Sequence, residues 1–376
     1  MRLGVDLREL ERGRMTGIGR YLRNLVAHAA TTRPDHPLFL YGNQRTAAVE
    51  WPANVTTRVA PEAVTLWWDQ VILPCLATQD RVEVFLSPYV KGPLRLTCPM
   101  AITVHDLMFL RFPAYTGWRR WPRNLLFLAM ARRVGARADL VFTDSEYSAR
   151  DLERFLGVDR ARVQVVPLGI EERYRPVTDP ELLDQVRSRY RIVMPYILYL
   201  GNFKPHKNVG ALLRAYAGLP EGVRSRFALV LAGREDPWQR EQVELARRLG
   251  LDRQALFVGR VDEADLPALY SAATVFAFPS LYEGFGLPPL EAMACGTPVV
   301  AANCTSIPEV VGEAGLLIDP QAEGALTAAL RRLLEDEELR RRLREQGLER
   351  AGHFRAADLC ERQVQLLEGL AERGRA

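Results

Sequence analysis

Three observations predict an α/β fold built from two doubly wound parallel-sheet domains. Short apolar runs, each ending in polar or turn residues, recur along the 376 residues with helical segments between many of them. The pattern breaks at a polar, proline-containing segment between Tyr174 and Pro180, then starts again. A composition of 48% hydrophobic and 26% charged residues supplies enough apolar material for two separate cores.

Taken in order, the first half offers strand-like runs M-R-L-G-V-D-L, H-P-L-F-L-Y-G, V-E-V-F-L-S-P, M-A-I-T-V-H-D, A-D-L-V-F-T-D-S and R-V-Q-V-V-P-L-G. The second half offers Y-I-L-Y-L-G-N-F, F-A-L-V-L-A-G, A-L-F-V-G, V-F-A-F-P-S, T-P-V-V-A-A and G-L-L-I-D-P. The expected domains are residues 1–174 and 175–355, followed by a terminal helix within 356–376 that carries Leu359, Val364, Leu366, Leu367 and Leu370 on one stripe. From about Glu323 the chain is helical and dense in charges of both signs, which reads as a solvated face. Ligands of such sheets bind beyond the carboxyl ends of strands, so the strand-end residues are the candidates for function.

The net charge of +4 fits an anionic ligand and does not call for nucleic acid. No apolar run approaches the length of a membrane span, and the start of the chain does not read as a signal peptide. Five cysteines without metal-like spacing suggest reduced thiols and a cytoplasmic setting.

The most informative stretch is E-G-F-G-L-P-P-L-E at residues 283–291. It lies between a strand-like run and a helix that a glycine stops before the next strand, which makes one βαβ unit. Gly284 and Gly286 let backbone N–H groups face an anion at a helix N-terminus. Pro288 and Pro289 cost no hydrogen bond in the first turn and stiffen it. Glu283 and Glu291 are hydrogen-bond acceptors, suited to a hydroxyl-rich ligand rather than to the anion. Together these residues describe a nucleotide-sugar site. The spacing, the Gly-Phe-Gly turn and the downstream Gly-Thr-Pro-Val closely resemble the E-x7-E signature of retaining glycosyltransferases of family four. That resemblance implies the GT-B fold, two Rossmann-like domains facing a central cleft, with the acceptor side in the first domain and the nucleotide sugar in the second. It also implies a terminal helix that crosses back to the first domain.

Further strings fall in the family's order. In T-G-I-G-R-Y the small residues allow close approach of backbone at a helix start, and the resemblance puts Gly17 and Gly19 against the donor diphosphate. The string is not a dinucleotide fingerprint, because Leu22 stands where a third glycine is required. In T-V-H-D-L-M-F, His105 resembles the family histidine that reaches the donor sugar, and Asp106 is expected to orient it or to act near the acceptor. In G-N-F-K-P-H-K-N, Lys207 is a point charge suited to the diphosphate. His206 replaces a basic residue that the family carries, leaving Lys204 as the candidate second cation. In F-V-G-R-V, backbone at Arg260 and Val261 is implied to meet the nucleobase edge. Phe285, Gly286 and Leu287 are expected to offer amides to the leaving diphosphate, Glu291 to bind the ribose and Glu283 a donor-sugar hydroxyl. D-S-E-Y-S-A-R-D-L from Asp144 reads as a structural helix start capped by Ser145 or Ser148.

Between Arg111 and Ala138 seven arginines and no acidic residue interleave with Phe112, Tyr115, Trp118, Trp121 and Phe127. This is the chemistry of a peripheral membrane contact. The plain alternative is a core helix with solvated arginines.

The expected activity is therefore retaining transfer of a hexose from a nucleotide diphosphate sugar to a hydroxyl acceptor, in cell-surface polysaccharide or glycolipid assembly. GDP-mannose is the first donor expected and a UDP-hexose the second; a lipid-linked glycan at the inner face of the membrane is the acceptor expected. No cofactor, no metal and no nucleic-acid partner are expected, and no D-x-D string stands at a strand end. Alternatives are a sugar-nucleotide epimerase or hydrolase of the same fold, and a non-catalytic membrane-binding scaffold. A nicotinamide-dependent oxidoreductase fits less well, since the glycine fingerprint is incomplete.

Overall fold

The computed structural model describes residues 1–13, 16–111 and 121–374. It divides into two compact units, Met1–Gly169 with Ala356–Ala376, and Ile170–Arg355.

Among the described residues, the sheet of the first unit has seven strands: β1 (Leu3–Asp6), β2 (Leu38–Gly42), β3 (Val55–Val59), β4 (Val84–Ser87), β5 (Met100–Thr103), β6 (Leu140–Thr143) and β7 (Val163–Val165). Their order is β3-β2-β1-β4-β5-β6-β7, with every neighbour pair parallel. Direction of winding reverses between β1 and β4, which makes that edge the switch point of the sheet. Val5, Leu40, Leu86, Ile102 and Val141 are fully buried, as expected for strands covered on both faces. The strand absent from the sequence reading is β3. It is an edge strand of sequence V-T-T-R-V, exposed for most of its length, so no apolar run announces it.

The helix Ala356–Arg373 completes this unit. Cys360, Val364, Leu367, Leu370 and Ala371 enter the same core as Leu22, Leu25 and Val26 of the helix Gly17–Thr32. Arg33 at the end of that helix donates to Glu361 at 2.6 Å and to Glu368 at 2.8 Å.

The second unit holds a six-stranded parallel sheet of order β10-β9-β8-β11-β12-β13, with its switch point between β8 and β11. The strands are β8 (Tyr196–Leu200), β9 (Ala228–Ala232), β10 (Ala255–Gly259), β11 (Val275–Phe278), β12 (Val299–Ala302) and β13 (Gly315–Ile318). The chain enters this unit at Ile170, ahead of the Tyr174 boundary expected from the sequence. The reason is local: Ile170 pairs with Phe354 and Arg355, while Tyr174 is buried with its ring against Tyr270. On the helix Glu337–Gly352, Arg341 is exposed and reaches Glu338 and Glu345 on the same face, the solvated pattern that the mixed charges suggested.

Candidate active site

In the second unit, two loops leave the adjacent strands β8 and β11 and are stitched together. The main-chain carbonyl of His206 accepts from the Leu281 N–H at 2.7 Å and from the Ser280 hydroxyl at 3.2 Å. This brings Lys207 and Glu283 into contact, Nζ to Oε1 at 2.5 Å, with side chains only 11% and 15% exposed. The Lys207 ammonium also lies 5.3 Å from the centroid of the Phe278 ring.

Glu283 is fixed from behind by a third loop, after β12. Its N–H donates to Thr305 Oγ1 at 3.2 Å, and the Ser306 hydroxyl donates to the carbonyls of Glu283 and Phe285 at 2.9 and 2.6 Å. Two non-glycine residues here hold left-handed backbone, Asn208 directly after Lys207 and Thr305, both with φ of 54°. For a β-branched threonine that conformation is strained, and such strain gathers where the surrounding structure must hold a functional geometry. Gly286, which opens the helix Leu287–Ala294, has φ of 130°, a value only glycine adopts with ease.

Glu291 lies on that helix, 4% exposed, and accepts from the Tyr270 hydroxyl at 2.9 Å. Burial and the neighbouring carboxylate hold the Tyr270 hydroxyl well above its usual pKa, so it stays a donor. Phe285 is buried edge-on against Phe354, Gly286 is buried, and Leu287 is half-buried. Arg260 is exposed and Val261 buried just past β10, two strands from β8 and outside the Lys207–Glu283 contact. Lys204 is half-buried and, among the described residues, makes no ion pair. His206 adds no charge at neutral pH, because burial and then Lys207 and Lys204 lower its pKa to about 3.

In the first unit, Thr16 caps the helix Gly17–Thr32 by accepting from the Gly19 N–H at 2.9 Å. The two glycines therefore differ. Gly19 is buried, and a Cβ there would lie 3.2 Å from the Glu9 carbonyl; Gly17 is exposed and has open space around it.

His105 follows β5 and meets Asp144, which follows β6, with Nδ1 to Oδ2 at 2.8 Å. The carboxylate on the imidazole is thus Asp144, not Asp106. Asp106 instead accepts from the Met108 N–H at 2.9 Å and caps its own loop. The physical reason is register: residues just past the neighbouring parallel strands β5 and β6 lie side by side, whereas Asp106 is turned onto the Met108 N–H of its own loop. Asp144 holds the proton on Nδ1, and Nε2 is buried without a hydrogen-bond partner among the described residues. Burial opposes the charged ring, but Asp144, and then Asp106 and Glu9, outweigh it and raise the His105 pKa. The ring is wedged by Tyr21, edge-on at 4.9 Å, whose hydroxyl bonds Thr103 at 2.8 Å and accepts from Gln363 of the terminal helix at 2.9 Å.

Sequence reasoning missed Asp144, Tyr270, Thr305, Ser306 and Tyr21. Of these only Asp144 carried a visible signal, since it ends a strand-like run next to that of His105. Ser145 does cap the helix that follows, accepting from the Ser148 N–H at 3.1 Å. Phe112, Tyr115 and Trp118 of the arginine-rich segment lie outside the described residues. In its described part, Arg132 and Arg133 are exposed, Leu125 and Leu126 are 50% and 60% exposed, and Phe127 packs against Phe109 and Tyr89. No helix of the described residues is long and apolar enough to cross a membrane. All five cysteines are free.

Comparison with known proteins bears on the fold and the family. The family model Glycosyltransferase Family 4 matches residues 15–174, and Glycosyl transferases group 1 matches residues 193–350. O-antigen chain mannosyltransferase B of Escherichia coli is 40% identical over 220 residues, 58% of this chain and 57% of that protein, so the chain spans little more than half of that relative. Sucrose-phosphate synthase of Thermosynechococcus elongatus superposes with a TM-score of 0.79 at 23% identity, covering 98% of both chains. Anabaena Alr3699/HepE in complex with UDP gives a TM-score of 0.75 at 18% identity, covering 98% of this chain and 100% of that one. The two Rossmann-like sheets are those of the GT-B fold, and the chain belongs to the group 1, family four glycosyltransferases.

Proposed function

We propose that this chain is a retaining hexosyltransferase that moves mannose from GDP-mannose, or failing that a hexose from a UDP sugar, to a hydroxyl acceptor in cell-surface polysaccharide or glycolipid assembly. The observation that carries the reading is the Lys207–Glu283 contact with buried Glu291 on the helix that follows the same loop. A cation and two carboxylates held this way offer one group to a diphosphate and two to sugar hydroxyls. Support for mannose comes from the O-antigen chain mannosyltransferase relative, and for a nucleotide diphosphate from the UDP held by the Anabaena neighbour.

In this reading Lys207 and the amides of Phe285, Gly286 and Leu287 meet the diphosphate, with Lys204 and Gly17 as further contacts. Gly19 serves by close packing. Negative charge grows on the leaving diphosphate in the transition state, so donors already aimed there lower the barrier most. Glu291 takes the ribose hydroxyls and Glu283 a hydroxyl of the donor sugar. Backbone at Arg260 and Val261 takes the base edge. His105 offers Nε2 to the sugar near the reacting carbon, and Asp106 stands near the acceptor. A front-face route, in which the leaving phosphate accepts the acceptor's proton, retains configuration without a protein nucleophile. Exposed Leu125, Leu126, Arg132 and Arg133 favour a peripheral membrane contact and a lipid-linked glycan as acceptor, at the cytoplasmic face.

The test is a thermal-shift panel of GDP, UDP, ADP and dTDP with their sugar conjugates, repeated on Glu291→Ala. A ligand that binds only the native state raises its melting temperature. One base stabilising the wild type, with the shift lost in the variant, is the expected result. No shift with any nucleotide overturns the reading.

A further inference from the structure

The helix Ala356–Arg373 buries Cys360, Gln363, Val364, Leu367, Leu370 and Ala371, which recur at the spacing of a single helix face. Five of them fill the apolar core of the first unit, as that spacing demands. Gln363 breaks the pattern: it is 3% exposed and carries an amide into the interior. A buried amide costs free energy unless it is hydrogen-bonded, whereas a methionine would fill much the same volume without that cost. The partner is the Tyr21 hydroxyl, which accepts from Gln363 Nε2 at 2.9 Å.

Tyr21 passes the contact on to the strand that carries His105. Its oxygen is taken by Gln363, which leaves its own proton for Thr103 Oγ1, 2.8 Å away and fully buried on β5. Burial holds the Tyr21 hydroxyl above its usual pKa, so that proton stays in place. With its hydroxyl tied to a helix on one side and a strand on the other, the Tyr21 ring stands edge-on to His105, the planes at 79°.

Neighbours from β6 hold the other side of His105. The Thr143 hydroxyl donates to the Val104 carbonyl at 2.8 Å, the Ser148 hydroxyl donates to the His105 carbonyl at 3.3 Å, and Asp144 engages Nδ1. These bonds fix the main chain and one corner of the imidazole. The torsion about its Cβ–Cγ bond is a broad well, and a rigid ring packed against the imidazole narrows it.

We infer that Gln363 and Tyr21 are positioning residues for His105: the amide of the terminal helix pins the tyrosine hydroxyl, and the pinned ring sets the angle at which the imidazole presents Nε2. The inference rests on the transferase reading and adds to it two residues that act through the imidazole.

Gln363→Met and Tyr21→Phe each break this chain of contacts while nearly keeping the volume, and Tyr21→Phe also keeps the ring. The first readout is the imidazole nitrogen NMR spectrum of His105 in the intact chain, at a pH above its titration. The wild type is expected to give sharp signals of one tautomer with the proton on Nδ1, and both variants to give signals broadened or moved toward the tautomer average. The second readout is donor turnover, followed as GDP released from GDP-mannose. Each variant is expected to lose about ten-fold in kcat with KM unchanged, and the double variant to lose no more than either single one. Unmoved His105 signals, or a kcat that keeps its wild-type value, overturn the inference even where unfolding in urea shows lost stability. Losses that multiply in the double variant overturn it too, since they make the two contacts independent. A GDP titration separates the levels: GDP binding to the wild type with unmoved signals in both variants ends this inference alone. Moved signals without binding of any nucleotide end the transferase reading and leave Gln363 and Tyr21 as supports of the imidazole.

Discussion

His105 and Lys207 each stand just past a strand of their own sheet and each is paired with a carboxylate, yet the two pairs differ in what they leave free. Asp144 engages one nitrogen of His105 and leaves the other, buried Nε2, without a partner among the described residues. Glu283 instead takes the Lys207 ammonium itself at 2.5 Å. The first pair is a side chain oriented in advance, with one hydrogen bond still to offer. The second is a closed pair. In the proposed donor site an incoming diphosphate would replace the charge of Glu283 at Lys207 and set that carboxylate free for a sugar hydroxyl, so that one rearrangement would recognise both halves of the donor.

The sharpest way to break this comparison is Lys207→Ala, which leaves Glu283 without its ion pair and the diphosphate without its point charge. We expect kcat/KM for transfer to fall about 10²–10³-fold. A rate within a few-fold of wild type, by steady-state assay, removes Lys207 from the donor site.

Asp144→Asn probes the other pair. Loss of the neighbouring carboxylate, the largest influence raising the His105 pKa, lowers it, read by NMR titration of the ring. Stability moves with it. A pKa raised on folding contributes stability that is complete below the unfolded histidine value of about 6.5 and is lost as pH rises through the folded value. The wild type should show that decline and the variant should not. An unchanged ring titration would show that Asp144 only packs.

Tyr270→Phe takes away a donor to buried Glu291, and unfolding in urea should register a loss of about 1–3 kcal/mol. The smallest effect at neutral pH is expected for His206→Gln, about 1 kcal/mol. Its signature lies in acid. Because the folded pKa of His206 is about 3, the neutral ring contributes stability present above about pH 6.5 and lost as pH falls toward the folded value. The variant should flatten that part of the stability curve, and a curve of unchanged slope would show His206 to be protonated in the fold.

Much of this was legible in the residues because buried parallel strands and strand-end loops write themselves as apolar runs with polar stops. Twelve of the strands carry such a run, and all but β3 were found that way. The Glu283–Glu291 stretch was visible for the same reason, as spacing along one loop and helix. What stayed hidden is whatever depends on the neighbour across the sheet. Lys207 and Glu283 were each readable, but their mutual contact depends on the His206 carbonyl joining two loops 74 residues apart. Asp144 and Tyr270 find their partners through sheet order and helix packing, which no local pattern encodes. The strained backbone of Thr305 is likewise set by the loops around it and not by its own preference.

The division of the first unit into two stretches of chain has a consequence for how the protein is made. Residues 170–355 form a continuous unit whose core is available as soon as they leave the ribosome. The core around Leu22, Leu25 and Val26 must wait for Val364, Leu367 and Leu370, and the Tyr21 hydroxyl beside His105 must wait for Gln363. During synthesis the second unit therefore matures before the earlier-made unit can close, and a nascent chain halted short of residue 356 would hold Lys207 and Glu283 in place while His105 still lacked its brace.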